Sequence, residues 1–170
     1  MNSKRLAFLS LLAAATIVGR IFFIALPNVQ PVTSIIIFSV IYLSLVDAIL
    51  IDIVIILISN LYLGSGIWTI YQIISYAVII LIAFLLSKIK SFKESILLQG
   101  IFAFLSGFIY GFVISVFSAL LFSNVNNYWA YLIADVPFNL YHSMGNLVIY
   151  LILIPILIKI KNYYFKKESL

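Results

Sequence analysis

Long apolar stretches, several of them about twenty residues and nearly free of charge, dominate this sequence and decide what it can fold into. Roughly 20 mainly apolar residues let a helix cross the hydrocarbon of a bilayer. Hydrophobic residues fill 65% of the 170 positions and charged residues 9%. A water-soluble domain of this size has no interior large enough to hide so much apolar surface, whereas lipid solvates it. A bilayer admits only helices or closed barrels, and the ~10-residue alternation of a barrel strand is absent. The expected fold is an all-α membrane protein. Residues 1–170 are expected to form a single domain, a bundle of six transmembrane helices.

Breaker residues divide the runs. The first span is expected from about Leu6 to Leu26, ended by Pro27 and Pro31, which remove backbone donors and push the preceding residue out of helix. A short second span covers Thr33 to about Leu45, with Asp47 marking a turn. A third runs from Ala48 to about Leu63 and stops at Gly64-Ser65-Gly66. The fourth covers Trp68 to Ser87, and a basic loop follows from Lys88 to Lys93. The fifth covers about Ile96 to Phe122. A polar stretch from Ser123 to His142, with room for a short helix, leads into the sixth, Ser143 to Ile160. Spans two and three are the shortest, and little polarity separates them. Lys4 and Arg5 ahead of an apolar run resemble a signal peptide, but the run continues to Gly19 and Arg20 without a small-residue cleavage pattern, so it reads as a retained helix.

Charge placement favours an even number of spans. With both termini cytoplasmic, nine of the ten Lys and Arg residues lie inside, and the tenth, Arg20, lies within the first helix. That asymmetry obeys the positive-inside rule and explains the net charge of +5 without invoking nucleic acid. A five-span chain strands its basic tail outside.

The same topology gathers costly polar groups at the outer ends of the spans. Arg20, Asn28, Gln30, Asn60, Trp68, Gln72, Trp129, His142 and Asn146 come from separate helix ends, and polar residues at membrane depth usually face a partner or a cavity. They are the candidate substrate-binding set, around a pocket opening outward. Each also has a plainer reading. Arg20 can snorkel to headgroups, and Trp68 and Trp129 can anchor the interface. His142 lies four residues before Asn146, on one helical face, but a lone histidine is more often a packing or hydrogen-bonding residue, here with Asp135 as a partner. Asp52, inside the third span, is open between a helix-packing and a conformational role. Along the first span Ser10 pairs with Ala14 and Ala15 with Gly19 at a spacing of four, a smooth face suited either to packing within the bundle or to docking another membrane subunit.

Absences narrow the chemistry. There is no cysteine, no Walker A sequence, no HExxH, no GxSxG and no pair of intramembrane aspartates. No cofactor or metal is expected, and an enzyme is not expected. An intramembrane enzyme using His142 and Asp135, and a stand-alone secondary transporter or channel, are the alternatives.

Several segments together resemble one family. Gly19-Arg20, Pro27-Asn28-Val29-Gln30-Pro31-Val32-Thr33, Ser59-Asn60, Leu63-Gly64-Ser65-Gly66-Ile67-Trp68-Thr69 with Gln72, and Pro137-Phe138-Asn139-Leu140-Tyr141-His142 with Gly145-Asn146 are similar to the S components, the substrate-binding membrane subunits of energy-coupling factor (ECF) transporters. Many members carry Asp where this chain has Asn139, which bears no charge. The resemblance implies a six-helix protein of the bacterial plasma membrane that binds a vitamin or related micronutrient from outside. It implies partners too: a transmembrane coupling subunit, docked on the small residues of helix one (Ser10, Ala14, Ala15 and Gly19), and two cytoplasmic ATPases. The S component is expected to topple in the membrane to release its ligand inside. The subgroup looks most like cobalamin-type members, with pantothenate, folate, pyridoxine or a queuosine-type precursor as other substrates.

Overall fold

The computed structural model describes residues 3–26, 28–121 and 128–165. Among them the chain is helical, with no strand. In chain order the helices are α1 (Ser3–Phe22), α2 (Val32–Tyr42), α3 (Leu45–Leu63), α4 (Trp68–Leu86), α5 (Lys90–Glu94), α6 (Ile96–Leu121) and α7 (Tyr128–Phe165). Five are long and apolar enough to cross a membrane: α1 with the 3-10 turn Phe23–Ala25 after it, α3, α4, α6 and α7.

The second expected span is different in kind. α2 has 11 residues, about 16 Å of helix, or half the hydrocarbon thickness. Ten of its residues are buried, so it presents no face to lipid and fills the centre of the bundle. Packing against α1, α3, α4, α6 and α7 replaces the lipid that a full span would meet.

Local chemistry sets the joints. Leu26 turns extended (φ −104°, ψ 112°), as the residue before a proline must. Asn28 adopts φ 57°, a left-handed geometry that asparagine tolerates better than most residues. Asp47 does not mark the turn expected of it. Ser44 does, as the N-cap of α3 whose hydroxyl accepts from the Asp47 N–H at 3.1 Å. Asp47 in the first turn pairs with Arg5, which also donates to Ser44 at 3.0 Å and ties α1 to the α2–α3 joint. Gly64 closes α3 at φ 107°, a conformation nearly confined to glycine. The basic Lys88–Lys93 segment holds the one-turn helix α5.

The last element departs furthest from expectation. The polar stretch up to His142, with room expected for a short helix, is instead continuous with the last span over its described part: α7 starts at Tyr128 and runs 38 residues, about 57 Å, through Pro137 and Pro155. Each proline removes one ladder bond, yet the helix continues through both, packed along α6. That pairing depends on glycines. A Cβ on Gly107 would run into Ser143, one on Gly111 into the Asn139 side chain, and one on Gly100 would come within 2.9 Å of Leu151. These contacts step along α6 and α7 in opposite directions, the close antiparallel approach that small residues permit in lipid. Asn124, Asn126 and Asn127 lie outside the described residues, as do Phe122 and Pro27.

Candidate functional site

Arg20 is the centre of the polar end of the bundle. It occupies the last turn of α1, where a cation complements the helix dipole, and is only 7% exposed. Its Nε donates to Gln30 Oε1 at 2.9 Å, one terminal nitrogen to Ser59 Oγ, and the other to Gln72 Oε1 at 3.5 Å. Those partners come from the segment before α2, from α3 and from α4. Neutral acceptors thus hold a guanidinium in place without neutralising it. Three of its five N–H groups are used, and two have no partner among the described residues.

The surrounding amides extend the network. Gln30 Nε2 donates to the Tyr76 hydroxyl at 3.2 Å. Asn60 donates to Gln72 Oε1 at 2.7 Å and to Thr69 Oγ1 at 2.9 Å, so it orients the side chain that in turn orients Arg20.

Two cavities open beside this network. One, about 210 Å³, is lined by Arg20, Asn28, Gln30, Gln72 and Tyr110 among others. The second, about 290 Å³, is lined by Trp68, Asp135, Phe138 and Asn139 and shares Asn28, Gln72 and Tyr110 with the first. Asp135 accepts from Ser115 Oγ at 3.0 Å. The cavities therefore adjoin and carry an aromatic wall, several neutral amides, one cation and one carboxylate.

The other expected residues fall into three groups. Trp68 lines the second cavity, half exposed, its indole N–H donating to Gly64 O at 3.3 Å. Trp129 is 69% exposed, packs edge-on against Tyr128 and lines neither cavity. His142 and Asn146 are fully buried behind the cavities and line neither. His142 shares a 3.2 Å hydrogen bond with Thr33 Oγ1 and meets the Tyr110 ring edge-on at 5.1 Å. It thus supports a cavity wall. The expected His142–Asp135 hydrogen bond is not formed: the two lie seven residues apart on α7 and each bonds elsewhere. The side-chain atoms of Asn146 have no partner among the described residues, nor does Oδ1 of Asp52, two turns below Ser59 on the same face of α3.

On α1, Ser10, Ala14 and Ala15 are exposed and Gly19 is partly so. Gly19 abuts Pro31, close enough that an added Cβ would lie 2.8 Å from its ring. Ala15 and Gly19 also line an apolar groove of about 390 Å³ with Leu12, Ile35, Ile152 and Leu157.

Tyr76, Tyr110 and Ser59 belong to the site but were not among the expected binding residues. A tyrosine within an apolar run reads as core, and Tyr110 lies as a wall residue between Gly107 and Gly111, where α6 closely approaches α7. Among the described residues no cluster of His, Asp or Glu is suited to a metal ion.

Comparison with curated proteins and with solved structures finds no match. A family model, described as the substrate-specific component of the ECF transporter, matches residues 4–154. That match takes in α1 to α6 and most of α7, and with it every residue around the two cavities. The chain is a multi-pass membrane protein, and it belongs to the family of ECF-transporter substrate-specific components.

Proposed function

We propose that the chain is the high-affinity substrate-binding subunit of an ECF-type importer for a vitamin or related micronutrient. One observation carries the reading: a buried arginine, fixed by neutral side chains from three elements, opens onto a cavity with donors to spare. Burying a cation without a counter-ion in contact is costly, and a bound anionic or acceptor-rich ligand offsets that cost.

The described lysines gather at the end opposite Arg20. By the positive-inside rule that end faces the cytoplasm, so both termini are inside and the cavities open outward. Counted with the buried α2, six helices give the even number of passes this requires. The ligand enters from outside, and the subunit topples in the membrane to release it inside. A transmembrane coupling subunit and two cytoplasmic ATPases supply the energy. The exposed Ser10 and Ala14, with Ala15 and Gly19 on the rim of the apolar groove, form the face offered to the coupling subunit.

Cavity size bears on the substrate. Spaces of about 210 and 290 Å³ suit a ligand of one or two rings. Cobalamin, to which the sequence resemblance leaned, is a macrocycle larger than either, so the smaller candidates are favoured.

Reconstituted liposomes test the proposal. Any small molecule that co-purifies with the chain, identified by mass spectrometry, is expected to be taken up only when this chain, the coupling subunit and the ATPases are present with ATP. Uptake by this chain alone, driven by an ion gradient, would replace the proposal with a stand-alone transporter.

A further inference from the structure

The two adjoining cavities hold opposite charges. Arg20 lines only the first, Asp135 lines only the second, and no other charged residue among those described lines either. The two do not pair with each other. Arg20 is bound to Gln30, Ser59 and Gln72, and Asp135 to Ser115. Each keeps hydrogen-bonding capacity: two N–H groups on Arg20, and one carboxylate oxygen on Asp135 with no partner among the described residues.

This arrangement selects by charge. A monoanion drawn to Arg20 leaves the partly buried carboxylate of Asp135 without a counter-charge, and a monocation leaves the buried Arg20 so. The loss is larger at Arg20, which is buried, than at Asp135, which is only partly so, because an uncompensated charge costs more the less water reaches it. A ligand with both signs satisfies both ends. Between them Tyr110 lines both cavities, and Trp68 and Phe138 line the second, which favours a flat ring. Asn28, Gln72 and Asn139 offer the amide donors and acceptors that ring substituents need.

We propose that the ligand is a ring-bearing zwitterion, with its anionic group on Arg20 and its protonated amine or equivalent cationic group on Asp135. The assignment rests on the binding-subunit reading above and adds the charge class of the substrate.

Affinity selection tests it. The intact chain in mild detergent is equilibrated with the small-molecule fraction of a bacterial cell extract supplemented with the water-soluble vitamins, then desalted. Retained compounds are identified by accurate mass. The wild-type chain is expected to retain a compound carrying both charges. Asp135→Asn keeps the acceptor for Ser115 yet should retain at least about tenfold less of it, and so should Arg20→Gln. Unchanged thermal unfolding of each variant in the absence of ligand assigns the loss to the site. Retention of only monoanions or neutral compounds, or undiminished retention by Asp135→Asn, overturns the zwitterion and leaves the binding subunit standing. Retention of nothing by the wild-type chain overturns the binding subunit, and the ligand class with it.

Discussion

Two buried polar centres sit at opposite ends of this bundle, and they are built differently. Near the lysine-rich end Gln99 is completely buried on α6. Its Oε1 accepts from the hydroxyls of Tyr42 (2.9 Å) and Tyr150 (2.7 Å), and its Nε2 donates to the carbonyls of Phe92 (3.0 Å) and Lys93 (2.9 Å). All four of its bonding positions are filled by α2, α7 and the α5 turn, and Gln99 lines none of the cavities described above. Arg20 is a charge rather than an amide, is only partly satisfied, and lines a cavity. A closed network holds helices together, while an open one keeps bonding capacity for something that arrives later.

Substitutions can break that contrast, beginning with the largest expected effect. Arg20→Gln should weaken ligand binding about 30-fold or more, since truncating one partner of a buried charged contact costs about 2–5 kcal/mol. Isothermal titration with the co-purified ligand reads it, and thermal unfolding without ligand should barely move. Gln99→Leu should do the reverse. It strands two tyrosine hydroxyls and two carbonyls and should lower stability by about 3 kcal/mol, while the folded fraction binds ligand with unchanged affinity. A loss of affinity in Gln99→Leu with no loss of stability would erase the distinction between the two centres. Asn60→Ala sharpens the picture within the open network. It frees Gln72 from one of its two donors and should weaken binding about three- to tenfold by letting Gln72 turn away from Arg20. The smallest effect belongs to Trp129→Ala, expected to change affinity less than about twofold because the indole lies outside both cavities.

The parts legible in the sequence are those governed by local rules. Apolar length marked out α1, α3, α4 and α6 to within a few residues at each end. Gly64 and the proline-flanked segment after α1 ended helices as their backbone chemistry requires. Arg20, Gln30, Asn60 and Gln72 stood out as costly polar groups at membrane depth, and they do converge.

Tertiary packing hid the rest. Nothing local says that α2 is enclosed by protein on all sides, because a buried helix and a lipid-facing one have the same apolar composition. The polar opening of α7 suggests a short helix at most, yet α6 supplies glycines where Ser143 and Asn139 need room, and one helix continues through Pro137. Gln99 carries no such signal because it lies near the basic end, away from the outer ends where the other polar groups gather, and its four partners come from three other elements, α2, α5 and α7.

Native mass spectrometry of the gently purified chain tests the binding role of the open centre most directly. A small molecule bound at near one-to-one stoichiometry to the wild-type protein, and lost from Arg20→Gln, is the expected result. A wild-type protein without ligand, or a ligand retained equally by Arg20→Gln, would contradict the assignment of that centre as the binding site.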